Sequence, residues 1–208
     1  MKKFKMMIAA TALSLVCLSG AAFAYLTAET EVETKAFTAG KLTALLSGVE
    51  GDVSEVLYPA ATVSSAPVVT NTGNVPALAF VEVKAPYESV SVVDGTGAIT
   101  EPAQQALFTI SDLDAENWVE LTSDSGVSGT DSYTYVLGCL TVLNGSETAT
   151  EEAFSQLQYA NIAGATAGTD YEIDVVARLI QAEGLSEGTT VDAGVLHDAY
   201  QKLPAAQS

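Results

Sequence analysis

The side chains able to do acid–base, nucleophilic or metal chemistry are few. The chain of 208 residues has one histidine, His197, and two cysteines, Cys17 and Cys139. A catalytic zinc site takes three protein ligands, usually rich in histidine, and no H-E-x-x-H occurs. A Ser-His-Asp relay would have to use His197, and no G-x-S-x-G accompanies a serine. His197 reads instead as a partly exposed residue of a C-terminal helix. Cys139 lies in the apolar run Tyr135–Leu143 and reads as a small buried hydrophobe. A reactive thiol needs an electropositive setting, and none is visible around it. With 26 acidic residues, a close pair of carboxylates carries no specificity for glycoside hydrolysis. Asp112-x-Asp114-x-Glu116 matches the first half of a calcium loop, but the loop glycine and the distal glutamate are missing. It reads as a solvated acidic turn. Asn144-Gly145-Ser146 fits a glycosylation sequon, and a plain turn explains it equally well. Trp118 with Tyr133 and Tyr135 could offer a sugar-stacking platform, and core packing is the reading preferred. No catalytic residue, cofactor site or metal site is assigned.

The elements that would position these residues read mostly as strands. The chain is rich in Val, Thr, Ala and Ser, with turn residues at short intervals. Strands are expected over Ala36–Ser47 (broken by Gly40), Val53–Leu57 and Thr62–Thr70, the last ending at the turn Asn71–Asn74. Pro67 marks a sheet edge or a break. Pro76 opens a strand over Ala77–Lys84, read as having one covered and one wet face, and Pro86 closes it. Ser89–Val93, Leu107–Ile110 and Trp118–Thr122 follow. Ser132–Leu143 is a strong strand with a possible bulge at Gly138. Tyr171–Ala182 is the last long strand, with Ile173, Val175, Ala177 and Leu179 on one face. Thr148–Gln158 is expected to form a turn or two of helix. A better helix spans Val191–Leu203, capped by Thr189 or Thr190, with Leu196, Tyr200 and Leu203 on one face. The pattern predicts a mainly β fold: an antiparallel jelly-roll-like β-sandwich with one or two short helices.

The first 24 residues predict a cleaved secretory signal peptide. Lys2, Lys3 and Lys5 form its positive region, Met6–Leu18 its apolar core, and Ala22-Phe23-Ala24 a small-x-small cleavage site before Tyr25. A membrane span would need roughly 20 predominantly apolar residues, and Thr11, Ser14, Ser19 and Gly20 interrupt this stretch. Val16 and Ser14 argue against lipidation of Cys17. The expected organisation is a signal peptide over 1–24, an N-terminal segment over 25–34 and one domain over 35–208. After cleavage no membrane span is expected, and Cys139 has no intrachain partner. The chain carries 8 Lys+Arg against 26 Asp+Glu, a net charge of −18. Three of the basic residues lie in the leader. The others, Lys35, Lys41, Lys84, Arg178 and Lys202, are scattered. Nucleic acids and anionic membranes require clustered basic residues and are disfavoured as partners.

The junction AFA-YLTAETEVETKAFTAGKLTALL places Tyr25 after the cut, then Phe37, Thr38, Ala39, Gly40 and Leu42 ahead of a strand. It resembles proteins exported with a SipW-type signal peptide, the TasA/camelysin (CalY) family. The turn Val69–Ala77, the block Asn117-Trp118-Val119 with Tyr133-Thr134-Tyr135, and the ending Leu179–Gly184 agree in order. The resemblance implies secretion to the cell surface or biofilm matrix, processing by a SipW-type signal peptidase, and assembly into fibres by self-association, alone or with related matrix subunits. The segment freed by cleavage would then be donated as a strand to the next copy. Tyr25, Leu26, Ala28, Thr30 and Val32 are the candidate assembly residues; Leu26 to Val32 alternate with Thr27, Glu29 and Glu31. A surface module binding carbohydrate or a host protein is the alternative. A camelysin-like metallopeptidase is a third reading, for which the chain offers no motif.

Overall fold

The computed structural model describes residues 41–49, 58–164, 171–183 and 189–204. Expected features at Ala22, Ala24, Tyr25, Leu26, Ala28, Thr30 and Val32, and the strand expected over Val53–Leu57, lie outside them. The strands are β1 (Ala44–Ser47), β2 (Thr62–Ser64), β3 (Val68–Asn71), β4 (Ala77–Val90), β5 (Ala103–Ala106), β6 (Phe108–Leu113), β7 (Trp118–Glu120), β8 (Gly126–Ser128), β9 (Ser132–Cys139), β10 (Thr148–Ala149), β11 (Phe154–Tyr159) and β12 (Asp174–Gln181). The helix α1 spans Ala193–Tyr200. All strand pairs are antiparallel. The fold is the mainly β, antiparallel sandwich expected from the sequence.

One layer is the sheet β12-β4-β9-β7, with β5 added on β4 and β8 on β9. The other layer is split into β1-β3-β10 and β2-β11-β6. Pro67 stands at the split: β2 pairs with β11 before it, and β3 pairs with β1 after it. The proline therefore marks a break where the chain changes sheets, as its missing N–H dictates. The main core lies between the layers. Ala79, Val81 and Val83 of β4 and Leu137 and Cys139 of β9 meet Val69, Phe108, Phe154, Leu157 and Tyr159.

Over residues 77–83 β4 is covered on both faces, and Lys84 is exposed, which corrects the expectation of one wet face along the strand. Its outward row starts with Leu78 and Phe80, which pack under Leu196 and Ala199 of α1 in a second core. Ala77 to Val83 are consequently all buried. Nor does Pro86 end the strand. β4 pairs with β9 as far as Pro86, opposite Ser132, and from Tyr87 onward pairs with β5. The residue lacking a donor sits at the handover, where the chain continues with a new partner.

Thr148–Gln158 holds no helix; it contains β10 and most of β11. The spacing of Phe154 and Leu157 suggested a helix because both are buried three residues apart. Strict alternation would put them on opposite faces. Opposite Ser155 lies Asp112, whose φ of 55° is left-handed, and the alternation changes phase there, so Phe154, Leu157 and Tyr159 enter one core. The ladder also runs unbroken through Gly138, which pairs with both Phe80 and Val119. Gly138 is not a bulge. A Cβ there would meet Cδ1 of Leu196 at 3.0 Å, so the glycine lets α1 settle on the sheet.

The cap of α1 is Asp192, whose Oδ1 accepts from the Val195 amide at 3.0 Å. The expected caps are occupied elsewhere: Thr190 bridges to Thr141, and the Thr189 carbonyl accepts from Val142. Leu196 and Ala199 are buried, with Tyr200 and Leu203 half-covered beside them.

Candidate assembly edge

β12 reads DVVARLIQ, and its alternation sends Val175, Ala177 and Leu179 inward opposite Val83, Val81 and Ala79 of β4. The partners on β4 are 0 % exposed, yet no residue of β12 is fully buried. Ile173 continues the same half-covered row. β12 stands at the margin of its sheet, with β4 as its strand neighbour. Leu46 of β1 enters the core from the opposite layer, while Leu45 is 55 % exposed. β1 is itself the margin of its own sheet and approaches β12 without a ladder between them among the described residues. Among the described residues, two strand edges without a further ladder partner therefore border a seam lined by half-covered apolar side chains.

The other margins are poorer templates. β2 and β7 have three residues each and β10 two. β6 carries Asp112 in its left-handed conformation. β12 offers eight residues with neither proline nor glycine, and such an edge is a template for another strand. Its outward row is Asp174, Val176, Arg178 and Ile180. Arg178 donates to Oε1 of Glu82 at 2.7 Å and to the Pro204 carbonyl. Tyr200 also donates to Oε1 of Glu82, at 2.9 Å. Burial, reinforced by that carboxylate, pushes the Tyr200 hydroxyl up to about 12. This polar group ties β12, β4 and the C-terminal end of α1 together without touching the seam.

At the other end of the β1 sheet, Asn71 is fully buried and holds three loops. Its Nδ2 donates to the carbonyls of Val75, Leu143 and Asn144 at 2.8, 3.2 and 3.4 Å, and its Oδ1 accepts from Gly73 at 3.0 Å. Lys41 donates its amide to Oδ1 of Asn74 and accepts from the Asn74 amide. A Cβ on Gly73 would fall 2.1 Å from the Lys41 carbonyl oxygen. The turn Asn71–Asn74 thus fixes the chain as it enters β1.

The residues weighed for chemistry fall into structural places. Asp124 and Ser123 both approach Nδ1 of His197, at 2.7 and 3.1 Å. A hydrolytic relay needs the acid and the nucleophile on opposite ring nitrogens, so this trio is not one. Cys139 is buried, which pushes its thiol up. Trp118 is 1 % exposed and donates its indole N–H to the Glu151 carbonyl. It is no stacking platform. Tyr135 donates to the Phe108 carbonyl at 3.0 Å, and its ring is tilted at 59° to that of Tyr133 with centroids 4.8 Å apart. Asp114 turns back on its own loop, accepting from the Glu116 amide and from Asn117 Nδ2. Asn144 is exposed, and Gly145 beside it packs against the backbone of Asn74. Among the described residues, no group of three or more His, Cys, Asp or Glu is placed to hold a metal ion. No helix among them is long and apolar enough to cross a membrane.

Sequence reasoning passed over Glu82, Asp124 and the cover over β4. A single glutamate between valines in Phe80–Val83 was the available signal for a buried ion pair. Asp124 sits in an ordinary Asp-Ser-Gly turn and gives none.

Comparison with family models, curated proteins and solved structures yields no match for this chain.

Proposed function

We propose that the protein is a secreted, non-enzymatic structural component of the extracellular (biofilm) matrix or cell surface, and that copies join by strand addition. In this reading, trimming by a SipW-type signal peptidase frees Tyr25, and Tyr25–Thr34 of one copy lies along β12 of the next. The observation that carries the reading is the seam: an edge of eight residues, without a second strand partner among the described residues, whose inward row, Val175, Ala177 and Leu179, is only half-covered. A donated strand satisfies the edge by main-chain hydrogen bonds and fills the row with alternate side chains. Leu26, Ala28, Thr30 and Val32 form such a row, and ten extended residues outreach an eight-residue edge at about 3.3 Å per residue. The contact is head-to-tail and does not close on itself, so it grows a filament. The resemblance of the Tyr25 junction to the TasA/camelysin family supports the same reading. Glu29, Glu31 and Glu33 load the donor with charge, so screening by salt favours joining.

The test uses protein beginning at Tyr25, viewed by negative-stain microscopy at low and moderate salt. Filaments are expected, growing faster with salt. Deletion of residues 25–34, or Ala177→Lys on β12, is expected to leave folded monomers. Monomers from the intact chain at every salt concentration would overturn the reading, as would filaments that persist in both variants.

A further inference from the structure

α1 is a short cover with a titratable fastening. Its apolar residues Leu196 and Ala199 lie over Leu78, Phe80 and Val136. Beside them, His197 Nδ1 stands 2.7 Å from Oδ2 of Asp124, in the turn that follows Leu121. The Asp124 side chain has no exposed surface, whereas His197 keeps 39 %. Gln201 donates its Nε2 to Oδ1 of the same carboxylate. The two oxygens of a buried acid are thus met by side chains of the helix and of the turn just beyond it. A buried carboxylate without a cation is costly, and the cation here arrives on a separate element. The charged groups facing His197 are Asp124 from the turn and Asp198 from the helix itself. Ser123 and Gln201 are neutral. From the sheet, Glu82 and Arg178 meet the helical end at Tyr200 and Pro204, and do not contact His197.

We propose that the His197–Asp124 contact is a pH-sensitive clasp: protonation of His197 draws α1 onto the sheet, and loss of that proton loosens the helix and uncovers Leu78 and Phe80. The hydrogen bond to Asp124, then its charge, raises His197 above its ordinary value of 6.5. A group whose folded value is raised contributes fully below its unfolded value and loses that contribution as pH rises through the folded one. The clasp therefore holds on the acid side and slackens from neutral pH upward. The idea is independent of strand donation, because neither α1 nor Asp124 lines the seam.

Hydrogen exchange of the α1 amides, corrected for intrinsic rates, tests it at about pH 5 and about pH 8, on either side of the usual imidazole value. The purified wild type is expected to show severalfold stronger protection of residues 193–203 at the acid pH. His197→Gln, which keeps a donor but cannot titrate, is expected to lose the difference. Should that variant fold poorly, NMR titration of His197 in the wild type decides: a midpoint above 6.5 that falls in Asp124→Asn is expected. Equal protection at both pH values, a pH difference retained by His197→Gln, or an unraised midpoint would each overturn the clasp.

Discussion

The two faces of the central sheet are finished in different ways. On the outward face of β4, Leu78 and Phe80 are sealed by the chain's own helix, which is capped by Asp192, fastened through Asp124 and anchored through Glu82. On the inward face, the core is deep under β4 and thins to half-cover at β12. The same alternation of side chains produces both. The difference is what lies beyond the sheet: a dedicated cover on one side, and on the other two strand edges, β12 and β1, with no ladder between them among the described residues. Polar anchors are thus concentrated on one face, and among the described residues no second strand pairs with β12 at the other margin, which is the contrast that the proposed strand addition rests on.

The strongest test of this contrast is a pair of truncations. Phe80→Ala removes a fully buried ring from the sealed face and is expected to cost about 3–5 kcal/mol. Val175→Ala, on the half-covered row, removes two methyl groups and is expected to cost about 1 kcal/mol. Urea unfolding of the two variants measures both. Comparable losses would mean that the β12 row is as well packed as the sealed face and that the seam is closed.

The next effect concerns the ion pair that links the two regions. Glu82 and Arg178 are only 11 % and 15 % exposed at their side chains. Arg178→Met would leave the Glu82 carboxylate with the Tyr200 hydroxyl as its remaining partner. Removing one member of a buried pair costs about 3–5 kcal/mol, and the residual exposure puts the expected loss near the lower figure. Because Arg178 lies on β12, the variant is also expected to raise hydrogen exchange in both β12 and α1. A change confined to β12 would separate the regions that the ion pair is argued to join.

Gly138→Ala gives a smaller effect on one face alone. The new methyl group would press on Leu196 at 3.0 Å, and overpacking of this kind costs about 1–3 kcal/mol. Helix protection should fall while the β12 amides keep theirs. Loss of protection at β12 as well would show that the helix supports the margin.

Much of this architecture was legible in the residues, and the failures share a cause. The strands with turn residues at both ends, the inward row of β12 and the buried place of Cys139 follow from composition and period alone. Leu78, Phe80 and Val81 mixed with Glu82 and Lys84 suggested one covered and one wet face, because no local signal reveals a helix arriving from more than a hundred residues away. The same helix is the reason for Gly138, which locally reads as a bulge. Phe154 and Leu157 misled because one left-handed residue on a neighbouring strand, Asp112, resets the alternation. Thr189 and Thr190 are sound caps by type, but they are engaged with residues of the loop after β9, so Asp192 takes the role. The edge position of β12 was the least legible part. Edge character is a property of neighbours, and β12 has the same period whether one strand or two flank it.

The smallest effect separates the faces by their tyrosines. Tyr200 belongs to the sealed face and Tyr135 to the core between the layers, and burial pushes each hydroxyl up to about 12. For Tyr200 the hydrogen bond to Glu82 adds to burial; for Tyr135 the additions are the charges of Tyr133 and Glu120. In the unfolded chain both ionise near the ordinary value of 10.0. Their contribution to stability is therefore complete below that value and declines as pH rises from it toward 12. Tyr200→Phe removes the hydroxyl from the sealed face while keeping the ring against Phe80, whose centroid is 5.5 Å away. The variant is expected to lose part of the alkaline decline and to show loosened exchange in α1, whereas Tyr135→Phe should lose a similar part without disturbing the helix. Spectrophotometric titration combined with exchange reads both changes. If Tyr135→Phe loosens α1 as much as Tyr200→Phe does, the two faces respond as one body, and the distinction between a sealed face and an open margin loses its energetic basis.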